Sequence, residues 1–367
     1  MAFFWSICAA FVAAVILTPL VRLAALRLGA VDDPTGGRKI HTRPMPLMGG
    51  VAVFGAIALA IILAIVLGWL PGEYIKEKYL IGIIIAAAVL ILGGVLDDKY
   101  SLKPSRQIIW PVLAVLVIVG SGIGVKFITN PFGGQLYLDR GMFTVLWWQG
   151  LPYRLTPAAD IFTLCWLLGM TYTTKFLDGL DGLVAGITVI GALVIAAVSL
   201  MKEVAQPDTA LLAFIIAAAF LGFLLFNFNP ARIFLGEGGS TLAGFLLGTL
   251  AIISGGKIAT TLLVLGLPLF DAAFVILRRW FWQRRSPTQG DRSHLHFLLL
   301  DLGLTQRQAV LFYYFIAAGF GVSTLYLSGW GKLVALGALA SMLAALAAAV
   351  VILKKRAGRD SGASKNV

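Results

Sequence analysis

Charge is what this sequence has least of. Asp, Glu, Lys and Arg make up 13% of its 367 residues, about half the share that covers the surface of a soluble domain. With 59% of residues hydrophobic and a mean hydropathy of +0.93, water could not solvate the outside of a compact fold, so a soluble globular protein is excluded. Cysteine is nearly absent. Cys8 and Cys165 sit inside apolar runs, without metal-ligand spacing and without an external loop to staple, so no disulfide framework and no thiolate metal site is implied. A basic stretch ahead of the first apolar run is missing too, the first charge being Arg22; the first segment is expected to stay as a helix, not to act as a cleaved leader. Glycine is plentiful, at 41 residues, but follows no G-X-Y period, which excludes collagen.

What is present instead is a series of apolar runs, near 3–26, 47–70, 79–96, 108–128, 158–174, 183–201, 209–228, 239–254, 258–277, 308–328 and 331–353. Runs of about 20 apolar residues match the hydrocarbon thickness of a bilayer. The expected fold class is an all-α polytopic membrane protein with about eleven transmembrane helices, or ten if one short segment does not span. Residues 1–355 form one domain, and the polar stretch 356–367 reads as a disordered tail. The net charge of +12 could suggest nucleic acid, but that needs a basic face on a soluble domain, which is lacking. The charge reads as topogenic. Placing the C-terminus inside puts 21 of the 29 Lys and Arg on that side and leaves 8 outside, so the N-terminus is expected outside and the C-terminus in the cytoplasm. The outer loop 129–157 carries an alternating stretch from Gln135 to Trp148, the pattern of a short hairpin on the interface with Trp147 and Trp148 as belt aromatics.

On this topology the acids gather on the basic side, and a carboxylate at a helix end beside hydrocarbon is costly unless hydrated, paired or metal-bound. Asp97 and Asp98 end the third run; they read either as caps of the next helix or as a general base beside a metal, because adjacent acids repel unless a cation or proton relieves them. In Lys175-Phe176-Leu177-Asp178-Gly179-Leu180-Asp181-Gly182, two Asp-Gly steps put both carboxylates on one side of a turn, with backbone open to a ligand. The run from Asn227 to Ser240 offers Glu237, a hard oxygen ligand of the kind Mg²⁺ prefers, before a glycine-rich helix start that can hold an anion. Asp291-Arg292-Ser293-His294-Leu295-His296 brings two imidazoles; in oxygen-rich company, phosphate binding or proton transfer is expected of them before metal binding. His41 reads either as a solvated loop residue or as part of the site. Asp271, well inside its helix, reads as a buried pairing partner or as a mark of an ion pathway, with pairing preferred. Hard-metal ligands beside phosphate-binding cations at a membrane surface point to phosphoryl transfer between a soluble nucleotide donor and a lipid.

The runs Arg38-Lys39-Ile40-His41-Thr42-Arg43-Pro44 through Gly50, Leu96-Asp97-Asp98, Asp178 to Leu183, Pro230 to Gly236 and Ser293 to His296 resemble, in order, the polyprenyl-phosphate N-acetylhexosamine-1-phosphate transferases. The resemblance covers roughly residues 1–330. It implies a bacterial inner-membrane enzyme with a cytoplasmic active site, moving a sugar 1-phosphate from a UDP-sugar to undecaprenyl phosphate with release of UMP, for cell-envelope polysaccharide synthesis. It also implies Mg²⁺, with Mn²⁺ as a substitute, and homodimers. His294-Leu295-His296-Phe297, followed by Thr305-Gln306-Arg307-Gln308, is closer to the N-acetylglucosamine branch than to the phospho-MurNAc-pentapeptide transferases, which carry three consecutive histidines there. In this reading Asp97 deprotonates or orients the lipid phosphate, with Asp98, Asp178, Asp181 and His294 in the catalytic group. The metal is held by Glu237 with Asp178 or Asp181, and Lys175, Arg292, His296, Asn227, His41 and Arg43 bind substrate. Attack is direct or through a covalent phosphosugar. Three departures bear on the donor: the usual Asp of the third loop is Glu237, two usual Asn are Tyr172 and Lys175, and a usual Lys and Gln are Gln107 and Pro111, with Arg106 nearby. A transporter or flippase is the alternative class; it would place ionisable residues near the midplane, where only Asp271 falls.

Overall fold

The computed structural model describes residues 2–34, 41, 43–130, 134–139, 141–148, 151–255, 258–278 and 294–363. Among the described residues fourteen helices run in order: α1 Ala2–Leu28, α2 Gly49–Val66, α3 Glu77–Tyr100, α4 Pro104–Gln107, α5 Ile109–Ser121, α6 Pro157–Leu177, α7 Leu183–Leu200, α8 Pro207–Asn227, α9 Gly236–Ile253, α10 Ile258–Val264, α11 Gly266–Arg278, α12 Leu295–Asp301, α13 Gln306–Ser323 and α14 Gly329–Ala363. Pro104, Pro157 and Pro207 each open a helix, where the missing N–H would have had no partner. Helix α14 continues to Ala363 through most of the stretch read as an irregular tail.

Among the described residues, eight helices are long and apolar enough to cross a membrane, or nine if α10 and α11, bent by 76°, form one broken span. The sequence count of about eleven also includes α6 and α13, which have the length but carry more polar groups. In α6 much of the polarity is satisfied internally. Thr163, Thr173 and Thr174 donate to the carbonyls of Ala159, Gly169 and Met170, at 2.7, 2.8 and 3.3 Å, so these three hydroxyls need no water, whereas the buried Thr171 hydroxyl finds no partner among the described residues. Large apolar side chains such as Ile16, Leu20, Leu59, Leu116, Leu311 and Phe315 stand exposed on the outer helix faces, as lipid contact allows.

Three small antiparallel hairpins accompany the helices. Strand β1 (Val31–Asp32) pairs with β2 (Met45–Pro46), β3 (Phe127–Thr129) with β4 (Gln135–Tyr137), and β5 (Phe143–Trp148) with β6 (Leu151–Leu155). The alternating stretch from Gln135 to Trp148 thus belongs to two hairpins, not one. Gly141, with φ of +85°, turns the chain between them. The side chains of Trp147 and Trp148 lie outside the described part.

Helix α9 is central, with 89% of its span buried. Lipid offers no hydrophobic drive for helices to associate, so close backbone packing through small residues does the work. A Cβ on Gly94 of α3 would collide with the backbone of Gly238, and one on Gly50 of α2 with the backbone of Gly239. These glycine contacts bring the end of α3 and the start of α2 against the start of α9. Gly94→Ala is therefore expected to lose about 1–3 kcal/mol or more, the usual cost of overpacking, read as a lower thermal midpoint in detergent. Gly120→Ala on α5, which meets open space, is the control. Equal midpoints for the two variants would show that the α3–α9 contact is not tight.

At the opposite end of the bundle, Asp208 at the start of α8 accepts from the backbone N–H groups of Tyr74 and Ile75 at 2.8 and 2.7 Å. That carboxylate fastens the α2–α3 connection to α8.

Candidate active site

The starts of α2, α7 and α9 and the ends of α3, α6 and α8 converge on one cavity of about 760 Å³. Main-chain bonds tie its first and third loops together: Phe234 N–H donates to Pro46 O at 2.9 Å, while Gly49 and Gly50 donate to Phe234 O and Leu235 O at 3.0 and 2.8 Å. Asp98 completes this tie. Its Oδ1 accepts from Glu237 N–H at 2.8 Å and its Oδ2 from Met48 N–H at 3.2 Å. A carboxylate between the N-termini of α9 and α2 satisfies free N–H groups at the positive ends of both helix dipoles. Gly236 has φ of +73°, and a Cβ there would meet the Asp98 carboxylate, so the position needs glycine twice over. Asp98 therefore does cap helices, but α9 and α2 and not the next helix in sequence.

Asp97 is arranged differently. Its Oδ1 accepts from Leu102 N–H at 2.8 Å and Gln107 Nε2 at 2.9 Å. Its Oδ2 takes no hydrogen bond among the described residues, and the residue lines the cavity. Gln107 passes the link on, because its Oε1 accepts from Lys175 Nζ at 2.9 Å. Lys175 in turn donates to Glu237 Oε1 at 2.5 Å and lies over the Tyr172 ring, 5.5 Å from its centroid.

Asp178 opens onto the cavity. Its carboxyl is raised from the usual range to about 8, chiefly by enclosure in protein, then by Glu237, Asp98 and Asp181, with the Ser240 hydroxyl acting the other way. Water in the cavity screens part of that repulsion. Asp181 is more committed: Oδ2 accepts from Asn229 Nδ2 at 2.9 Å and Ala231 N–H at 3.0 Å. Asn229 Nδ2 also reaches Gln306 Oε1 at 2.7 Å, and Arg307 Nε donates to Asn229 O at 2.9 Å, fastening α13 to the site.

Other expected residues take other places. Asn227 lines the cavity, but its amide is spent on scaffold: Oδ1 accepts from Gly182 N–H at 3.1 Å and Nδ2 donates to Ile233 O at 3.0 Å. Both amide atoms thus help to position the second loop against the third. His41 and Arg43 both line the cavity; His41 Nε2 lies 3.2 Å from Asp32 O, and its ring meets Phe234 edge-on, so it is held and not loose. His294 and His296 stand one layer behind the wall, which Phe176 and Phe297 form instead. The cause is Asp271: its Oδ2 pairs with His294 Nδ1 at 2.9 Å and its Oδ1 accepts from Leu295 N–H at 2.8 Å. That cap turns both rings inward, stacked at 5.6 Å. His296 is 1% exposed, packs on Gly179, and has no hydrogen-bond partner for either ring nitrogen among the described residues. Burial, with His294 beside it, lowers its imidazole to about 3, so it is neutral and carries no charge for a phosphate. Asp271 thus finds the expected pairing. Arg292 lies outside the described residues.

Among the described residues, no three His, Cys, Asp or Glu are grouped as a metal cage. Mg²⁺ does not require one, since it keeps several waters and is bound by one or two carboxylates together with substrate phosphates. An all-oxygen donor set, with Asp178 open to the cavity and repelled by its neighbours, fits such an ion.

Sequence reasoning passed over Asp32, Asn229 and Gln306 as site residues. Asn229 stands beside Pro230 in a run already singled out. Gln306 opens α13 directly after Thr305, whose Oγ1 accepts from Gln308 N–H at 3.3 Å while Gln308 Oε1 accepts from Thr305 N–H at 2.9 Å; this capping box is legible as Thr-x-x-Gln.

The sequence profile of glycosyl transferase family 4 matches residues 80–255, the span that holds Asp97, Asp98, Lys175, Asp178, Asp181 and Glu237. The chain is 33% identical over 318 residues to the probable undecaprenyl-phosphate N-acetylglucosaminyl 1-phosphate transferase of Bacillus subtilis, covering 85% of this chain and 81% of that one. It is 31% identical to the decaprenyl-phosphate N-acetylglucosaminephosphotransferase of Mycolicibacterium smegmatis, over 81% and 75% of the two chains. To the undecaprenyl-phosphate alpha-N-acetylglucosaminyl 1-phosphate transferase of Yersinia pestis it is 26% identical, over 79% and 74%. Identity of that order along most of both chains, with most of the cavity's acids inside the matched span, makes this protein a member of glycosyl transferase family 4.

Proposed function

We propose that the protein transfers N-acetylglucosamine 1-phosphate from UDP-N-acetylglucosamine to undecaprenyl phosphate, giving a lipid-linked diphosphosugar and UMP for cell-envelope polysaccharide synthesis. The observation that carries the reading is a single cavity, lined by Asp97, Asp178, Asp181, Glu237 and Lys175, at one end of a bundle of lipid-facing helices. The names of the relatives supply the sugar and the polyprenyl acceptor. The membrane is the bacterial inner membrane, crossed eleven times with the N-terminus outside and the cavity facing the cytoplasm, where the nucleotide is. The division of 21 Lys and Arg against 8 supports that orientation.

In this reading the oxygen of Asp97 that faces the cavity deprotonates or orients the lipid phosphate, which attacks the β-phosphorus as UMP departs. Asp178, with Asp181 and Glu237 beside it, would hold Mg²⁺ or Mn²⁺, which neutralises diphosphate charge when bound. Lys175 and Arg43 supply cationic groups for phosphate, and Asp98, Asn227 and Asn229 hold the loops in register. The test is transfer of label from UDP-N-acetylglucosamine to undecaprenyl phosphate by the purified protein with Mg²⁺. Butanol-extractable label with UMP release is the expected result. UMP from a different UDP-sugar would keep the reaction and change the donor, and no UMP from any donor would overturn it.

A further inference from the structure

We propose that Lys175 is a resident cation that holds Glu237 until the nucleotide donor brings a divalent ion, so that metal binding and nucleotide binding are coupled through this one side chain. The inference rests on the proposed transferase function, because both ligands belong to that reaction.

The argument starts from which acids are free. Asp98 spends both oxygens on backbone N–H groups, and Asp181 spends Oδ2 on Asn229 and Ala231. Glu237 meets the Lys175 ammonium at 2.5 Å, with both side chains 18% exposed, a charge-assisted contact in a place where salt screens little. Asp178 opens onto the cavity with neither oxygen held by a backbone N–H or a cation among the described residues. A divalent ion arriving alone therefore finds Asp178 and the second oxygen of Asp97, but not Glu237, which Lys175 holds. An ion arriving with a diphosphate brings its own oxygen ligands, and the phosphate charge offers the ammonium a second place to go. Lysine suits such an exchange: it is a point charge on a flexible stem with three rotatable donors, where arginine's planar fork would lock onto the carboxylate. Independently, Gln107, Lys175 and Glu237 are three positions at which this sequence departs from the motifs it otherwise resembles. They are one another's partners, at 2.9 and 2.5 Å around Nζ, so the departures form one unit.

Coupling of this kind is reciprocal and typically falls between about 5- and 150-fold. The test is Mn²⁺ binding to the purified full chain, followed by the electron paramagnetic resonance of free Mn²⁺, with and without UDP and corrected for Mn²⁺–UDP association in solution. For the unaltered protein, UDP is expected to tighten Mn²⁺ at least about fivefold. Lys175→Gln is expected to tighten Mn²⁺ alone by a similar factor and to reduce the effect of UDP, whereas Lys175→Arg keeps Mn²⁺ alone weak. Equal Mn²⁺ affinity with and without UDP in the unaltered protein overturns the proposal, and needs no variant to fold. So does a Lys175→Gln protein with an unchanged thermal midpoint and unchanged Mn²⁺ affinity. UDP binding without coupling removes this inference and leaves the donor reading standing; no UDP binding under any condition removes both.

Discussion

Asp97→Asn is expected to lower transfer by about 10²–10⁴-fold, the range that a positioned general base supplies, while UDP binding and the thermal midpoint stay close to those of the unaltered protein. The geometry makes this substitution unusually clean. The amide carbonyl can take the place of Oδ1 and still accept from Leu102 N–H and Gln107 Nε2. The turn after α3, and the link through Gln107 to Lys175 and Glu237, are then preserved. What changes is the other atom, where an oxygen able to accept a proton from the lipid phosphate becomes an N–H₂ group that can only donate. Single-turnover transfer, calorimetric UDP binding and a melting curve on the same preparation separate the cases. Lost UDP binding with unimpaired chemistry would sink the assignment of Asp97 as base. Asp98 could not serve in this experiment, because both its oxygens hold backbone N–H groups, and an amide in its place would turn an N–H₂ toward one of them.

That difference between neighbours shows where sequence reasoning stops. The apolar runs and their order were legible, as was the gathering of acids at one end, because membrane length and hydropathy act locally. Which of Asp97 and Asp98 caps and which faces the cavity depends on where the start of α9 comes to lie, and that depends on Gly94 meeting Gly238. The Lys175–Glu237 contact joins residues 62 positions apart, beyond any local pattern. His294 and His296 looked like phosphate ligands because charge and aromaticity are visible in a sequence. Their turn inward is set by Asp271, which is 23 positions away from His294. In the outer loop, period-two alternation ran through Gly141 without a break, so only the backbone could show that two hairpins were present. The lower hydropathy of α6 blurred the span count for a related reason: threonine bonds to the helix's own carbonyls hide polarity that composition still registers.

Asp178→Asn is expected to pull activity and stability in opposite directions. Activity should fall by about 10²–10³ in kcat, the scale set by removing one electrostatic stabiliser from an active site, because Asp178 opens onto the cavity with neither a backbone N–H nor a cation on it among the described residues. Stability of the metal-free protein should rise at alkaline pH. In the fold, the Asp178 carboxyl is raised to about 8 by enclosure and by Glu237, Asp98 and Asp181, whereas in the unfolded chain it titrates near 4. Below pH 4 both states carry the proton and nothing is lost. Between about pH 4 and 8 the folded chain keeps a proton that the unfolded chain has released, so stability falls as pH rises and the penalty is complete above 8. Asparagine has no proton to hold, so its variant should lose the Asp178 share of that slope and keep the share of Asp98, whose carboxyl burial raises to about 7. A divalent ion, by neutralising the charged form, should remove the Asp178 share from the unaltered protein as well. Thermal midpoints at pH 5 and pH 8, with chelator and with Mg²⁺, test both statements. If the unaltered protein with chelator melts at the same temperature at both pH values, or if the asparagine variant keeps the full slope of the unaltered protein, the repulsion does not reside at Asp178 and the metal has no reason to settle there. If the variant is instead more stable at pH 8 and nearly inactive, the cavity holds its acids together at the expense of the fold, which is the pattern expected of a site shaped for a reaction.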